Sequence, residues 1–68
     1  MSPHTSNLQG EVSSATQKIL GRFGANAPRE AEIRAQELRE LGHLEAEALW
    51  LKIARAARKA LDEHKSGR

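Results

Sequence analysis

Apolar residues recur at helical spacing in three segments of this chain. In the first segment, Val12, Thr16 and Ile19 follow one another at steps of four and three residues, and Phe23 comes four residues later. Steps of this size stack side chains on one stripe of an α-helix. The pattern therefore predicts a first helix over about Glu11 to Arg22.

The stretch FGANAP interrupts this pattern and predicts a turn. Gly24 suits a helix C-terminus, where the backbone often takes a left-handed conformation that glycine adopts without strain. Pro28 fits the first turn of a new helix, where its missing N–H would have had no partner. Asn26 or Ala27 would occupy the cap position of that helix, and only Asn26 has a side-chain oxygen that could cap it. The second helix is predicted over about residues 28–41, with an apolar face formed by Ala31, Ala35, Leu38 and Leu41.

The third segment follows almost at once, because only Gly42 and His43 separate it from the second helix. So short a link makes two helices pack as antiparallel neighbours. The third helix is predicted over about residues 44–64, with Trp50, Ile53, Ala57 and Leu61 on the face towards the other two helices. The predicted core consists of Ile19, Phe23, Ala35, Leu38, Trp50, Ile53, Ala57 and Leu61.

Together these segments predict an all-α fold, a small three-helix domain built on an antiparallel helical hairpin. Residues 1–10 lack apolar periodicity and are expected to form a flexible N-terminal arm. The helical domain is then predicted over residues 11–64, and residues 65–68 are expected to fray at the C-terminal end.

Composition narrows the classes of protein that fit. The chain has 68 residues and no cysteine, which excludes disulfides and thiolate metal ligands. No apolar run approaches the 18 or so residues that span a bilayer, and no basic start precedes an apolar segment. We therefore expect a soluble, cytoplasmic protein without a membrane partner. A domain this small often gains stability from self-association.

No set of residues carries a catalytic pattern. Ser13 and Ser14 lie near a predicted helix start, where capping explains serine, and no histidine is marked as their base. His4, His43 and His64 are not spaced as metal ligands. The glycines of GRFGANAP do not follow a strand, as a phosphate-binding loop requires. The sequence predicts no enzyme and assigns no catalytic, cofactor-binding or metal-binding residue.

The residues of the predicted helices resemble a family of short, uncharacterised alphaproteobacterial proteins. The likeness covers about residues 15–61 and has the form RAxxL, then a glycine, then WxxI. It is formed here by Ala15, Ile19, Leu20, Phe23, Gly24, Arg34, Ala35, Leu38, Gly42, Trp50 and Ile53. The family usually has an acidic residue after the turn glycine, where this chain has His43. The resemblance implies a helical fold and carries no established activity.

Leu44, Ala48 and Leu51 form a second apolar stripe on the third helix, roughly opposite Trp50. A helix with one buried face normally has polar residues there. The first functional hypothesis is therefore a protein-interaction module, either homodimeric or an adaptor bound to a larger partner.

The alternative hypothesis is nucleic-acid binding by a basic ridge on the same helix, formed by Lys52, Arg55, Arg58 and Lys59. Residues 51–68 carry six basic side chains against two acidic ones, a net charge of +4. Aromatic residues make up only 3% of the chain, which leaves few rings for stacking on single strands. Basic residues near a helix C-terminus also complement the helix dipole. These two points favour protein interaction over nucleic-acid binding.

Overall fold

The computed structural model describes residues 7–66 of the chain and the side chains of residues 10–63. Three α-helices follow one another: α1 is Asn7–Phe23, α2 is Ala27–Glu40 and α3 is Leu44–Ser66. A short 3₁₀ helix, Gly24–Asn26, joins α1 to α2. Residues 7–66 contain no strand, so the all-α prediction is confirmed for the described part.

The helix bounds differ from the predicted ones mainly at the ends. α1 begins at Asn7, four residues before the predicted start, so it includes residues that we had assigned to a flexible arm. α3 extends two residues further than expected, to Ser66. Residues 1–6 of the predicted arm and residues 67–68 of the predicted tail lie outside the described part of the chain.

Gly42 forms the turn of the helical hairpin between α2 and α3. Its φ is 84°, in the left-handed region that favours glycine. The N–H of His43 donates to the Leu38 carbonyl at 2.9 Å, and the N–H of Gly42 donates to the Arg39 carbonyl at 3.0 Å. This pair of bonds is a Schellman motif, which satisfies carbonyls that the end of α2 would otherwise leave without partners.

α3 begins immediately after this turn. The carbonyl of His43 accepts a hydrogen bond from the N–H of Glu47 at 2.9 Å, so His43 is the N-cap residue of α3 through its backbone. Glu45 and Glu47 lie in the first turn of the helix. Their negative charges interact favourably with the positive end of the helix dipole there.

The junction between α1 and α2 is only partly as predicted. Gly24 has a φ of 58°, as a glycine that ends a helix should. Pro28 lies in the first turn of α2 and is buried. The capping role suggested for Asn26 is wrong, because its side chain makes no capping hydrogen bond. The 3₁₀ helix replaces the cap, since the N–H of Ala27 donates to the Gly24 carbonyl.

The core lies where α2 packs on α3, with α1 against its edge. Five of its described residues are alanines, and Ile53 is the largest described side chain that is almost completely enclosed, at 1% exposure. Small side chains let the helix axes approach closely. The buried residues are Thr16, Ile19, Ala27, Pro28, Ala31, Ala35, Ile53, Ala54 and Ala57.

The predicted core is confirmed at Ile19, Ala35, Ile53 and Ala57, and its other members are less enclosed. Leu38, Trp50 and Leu61 are only partly buried. Phe23 is 40% exposed, so its assignment to the core is wrong. It is the last residue of α1, and its ring lies at the end of the helix, where it is only partly covered.

Leu41 is a second correction. We had placed it on the apolar face of α2, and it is 69% exposed. α2 ends one residue earlier, at Glu40, so Leu41 lies at the tip of the hairpin. Helical spacing therefore overestimated burial at the end of the element.

Replacing Gly42 by alanine is expected to lower the melting temperature. A non-glycine residue in the left-handed region costs roughly 1–2 kcal/mol, although no atom would touch the added Cβ. The matched control is Gly21→Ala. Gly21 lies inside α1 with equally open space around its Cβ, so alanine there should raise the free energy of unfolding by about 0.5–1 kcal/mol. Equal effects of the two substitutions, measured by thermal denaturation, would contradict the assigned turn.

Candidate functional site

The residues that sequence analysis singled out for function lie on the outer face of α3. We use this name for Leu44, Ala48, Leu51 and the four basic residues Lys52, Arg55, Arg58 and Lys59. At 100° per residue these side chains fall within about 120° of the helix circumference. All seven are exposed, so the face is one continuous strip along the helix.

The first half of this strip is apolar. Leu44 is 64% exposed and Leu51 is 42% exposed, whereas Ile53, about half a turn of the helix away, is 1% exposed. α1 therefore does not cover the two leucines and bury them within one chain. Leu51 lies next to the seam with α2, where it lines a shallow groove together with Glu32 and Arg58.

The second half of the strip is basic, and one of its side chains already has a partner. The guanidinium of Arg58 lies 3.4 Å from the carboxylate of Glu32 on α2. Both side chains are more than half exposed, so the pair adds little to stability. It nevertheless directs one positive charge towards α2. Lys52, Arg55 and Lys59 present their charges to solvent on the same face.

A second candidate site, which sequence analysis missed, is a groove between the end of α1, the start of α2 and Trp50 of α3. Its volume is about 480 Å³. We call it the aromatic groove. It is lined by Ala15, Lys18, Ile19, Arg22, Phe23, Glu30, Arg34 and Trp50.

Both rings in the aromatic groove lie beneath arginines. The guanidinium carbon of Arg34 is 5.6 Å from the centre of the Trp50 ring. The guanidinium carbon of Arg22 is 5.8 Å from the centre of the Phe23 ring. These distances fall within the range of cation–π contacts. No periodicity within a single helix predicts the site, because its residues come from three different elements.

Thr16 is the one buried polar side chain among the described residues. The hydroxyl of buried Thr16 donates to the Val12 carbonyl at 2.6 Å, so it serves the helix. The described side chains, those of residues 10–63, include no group of three histidine, aspartate or glutamate residues placed to hold a metal ion. His43 is exposed at the turn, His4 lies outside the described residues, and the side chain of His64 is also outside them.

Comparison of the chain with protein-family models, curated proteins and solved structures finds no match. The resemblance to short alphaproteobacterial proteins therefore stays a prediction. Within the described helices, no segment is both long enough and apolar enough to cross a membrane.

Proposed function

We propose that this protein is a small, non-catalytic helical interaction module and that the outer face of α3 is its contact surface. The exposure of Leu44 and Leu51, at 64% and 42%, carries the proposal. Leucines that stay in water on an ordered helix, beside Ala48, leave apolar area that association can bury. A monomeric surface helix would normally have polar residues in these positions.

The partner that we favour is a second copy of the chain, with the two α3 helices antiparallel. Residues 29–50 carry three arginines against six glutamates, whereas residues 51–68 carry a net charge of +4. Antiparallel pairing brings the basic half of one strip towards the acidic hairpin end of the other copy, which includes Glu40, Glu45 and Glu47. Parallel pairing would bring like charges together, and like charges facing each other are destabilising.

A further part of the proposal concerns the folding unit. We propose that α1, α2 and α3 form one domain rather than a hairpin with an independent helix. The buried side chain of Ile19 on α1 supports this, since it belongs to the same core cluster as Ile53 and Ala57. We also propose a cytoplasmic location, for which the absence of cysteine is the supporting observation.

Single cysteines can test the antiparallel pair, because the natural chain has none. With the leucines of each copy facing those of the other, the crossing point falls near Ala48. Ala48→Cys should therefore form a disulfide-linked dimer under mild oxidation. Arg55→Cys should not, because two residues seven positions beyond the crossing point lie roughly 21 Å apart along antiparallel helices at 1.5 Å per residue. The yield of dimer on a non-reducing gel is the measurement.

Gln36→Cys supplies the background rate, because Gln36 is also exposed but lies on α2. If Ala48→Cys cross-links no faster than this control, the outer face of α3 does not pair with itself. A larger partner protein would then be the remaining occupant within the interaction hypothesis. If Arg55→Cys cross-links as fast as Ala48→Cys, the helices are parallel and the charge argument is wrong.

Nucleic-acid binding by Lys52, Arg55, Arg58 and Lys59 is the second candidate function. The observation in its favour is that all four side chains are exposed on one face. The pairing of Arg58 with Glu32 weakens it, because an acidic side chain then lies beside the basic ridge. Binding to a generic duplex that falls steeply as salt is raised would favour this candidate over the first.

A further inference from the structure

The two aromatic side chains of this protein line the same groove. Trp50 and Phe23 are the only tryptophan and the only phenylalanine in the sequence, which has no tyrosine. They come from α3 and from the end of α1, and the fold brings both to the aromatic groove. Its volume of about 480 Å³ is within the usual range for small-molecule sites, roughly 300–1,000 Å³.

The charges around this groove favour an anion. Lys18, Arg22 and Arg34 contribute three positive charges, and Glu30 contributes one negative charge. None of the ion pairs that the structure describes involves these four residues. Their charges therefore remain available to a ligand. Arginine is suited to phosphate because its planar fork of N–H donors matches phosphate oxygens.

We propose that the aromatic groove binds a nucleotide, that is, a planar heterocycle that carries a phosphate. The base would stack on the exposed part of Phe23 or on the guanidinium plane of Arg34, which already lies over Trp50. Stacking on rings and on arginine planes is the general way in which proteins hold unpaired bases. Lys18 and Arg22 supply the donors for the phosphate.

Glu30 distinguishes a nucleotide from an acidic peptide as the ligand. A carboxylate accepts hydrogen bonds from the N–H groups of a base or the hydroxyls of a ribose. The ionised side chains of an acidic peptide offer this carboxylate no such donor. The mixture of rings, three cations and one acid therefore fits a nucleotide better. The nucleotide could be free, or it could be an unpaired residue of a single strand, and the test separates these sources.

The emission of Trp50 reports directly on the groove, because it is the only tryptophan. Titration with AMP is expected to change this emission and to shift the NMR signals of the groove residues, and adenosine or inorganic phosphate alone should act much more weakly. Equal affinity for AMP and for a short oligoadenylate, per nucleotide, would identify the free nucleotide as sufficient. Much tighter binding of the oligoadenylate would identify a single strand.

The double variant Arg22→Gln with Arg34→Gln removes the two stacked guanidiniums. We expect the Kd for AMP to rise on the order of tenfold or more, because hydrogen bonds to charged groups are lost. Arg29→Gln with Arg39→Gln is the matched control. It removes the same charge from exposed positions that do not line the groove, so the Kd should hardly change. Circular dichroism checks that both variants are folded.

Three outcomes would overturn the proposal. One is the absence of any response of wild-type Trp50 and its neighbours to AMP or to oligoadenylate. Another is an equal loss of affinity in the two double variants, which would indicate general electrostatic attraction. The third is binding of an acidic peptide with no binding of nucleotide.

The groove lies apart from Leu51, so a monomeric Leu51→Glu variant should still bind AMP. This test is therefore independent of the proposed interaction surface.

Discussion

Ile53→Ala is expected to unfold most of the protein at room temperature or to bring it close to unfolding. Ile53 is the largest side chain that the described core encloses almost completely, at 1% exposure. Truncation of such a residue typically costs about 2–5 kcal/mol, through lost transfer free energy and the cavity left behind. A core in a domain of this length rarely supplies more than about 3–5 kcal/mol. Urea denaturation followed by circular dichroism measures the loss.

Ile33→Ala is the matched control for this substitution, because it makes the same chemical change on the opposite side of the hairpin. Ile33 is 44% exposed on α2, about half a turn of the helix away from buried Ala31 and Ala35. Its replacement should change the free energy of unfolding by less than about 0.5 kcal/mol. If the two variants lost the same stability, the assignment of the core would be wrong.

Local periodicity predicted the parts of the fold that depend on one segment at a time. The spacing of Ile53, Ala57 and Leu61 identified the inner face of α3, and the first two of these are buried. The hairpin followed from Gly42, because a glycine after an apolar segment and a very short link leave few other arrangements. The exposure of Leu44 and Leu51 also agrees with the reasoning from helix geometry.

The errors lie at the ends of helices, where periodicity carries no information about coverage. Phe23 and Leu41 have the correct spacing for burial, yet each lies where a helix stops, and they stay 40% and 69% exposed. Ala27 shows the converse error. The sequence indicated a position near the cap of α2, whereas the structure buries it completely. A residue outside the apolar period of its own helix is still buried when a neighbouring helix covers it.

The aromatic groove could not be predicted from the sequence for a related reason. Arg22 is adjacent to Phe23, so that contact could have been suspected from the chain alone. The contact of Arg34 with Trp50 depends on how α2 packs on α3, and the inclusion of Lys18 depends on where α1 crosses them. The low aromatic content of the chain argues against a site where bases stack. The structure weakens this argument, because the tryptophan and the phenylalanine line the same groove.

Leu51→Glu is expected to abolish self-association while leaving the chain folded. In the paired state each copy loses one leucine contact, so the dimer loses on the order of 3 kcal/mol of apolar burial, or about a hundredfold in Kd. In the dimer the two new carboxylates would also lose their contact with water, and burying an unpaired charge costs free energy. In the monomer the glutamate remains exposed and lies four residues before Arg55, a favourable spacing on a helix.

Sedimentation equilibrium of the wild type beside Leu51→Glu tests the central claim most directly, with Ile33→Glu as the control. Ile33 is as exposed as Leu51, so Ile33→Glu adds the same charge to a surface outside the proposed contact. We expect the wild type and Ile33→Glu to dimerise as the concentration rises, whereas Leu51→Glu should stay a helical monomer. A wild type that sediments as a monomer at every concentration would contradict the proposed self-association, and so would a Leu51→Glu variant that dimerises as tightly as the wild type.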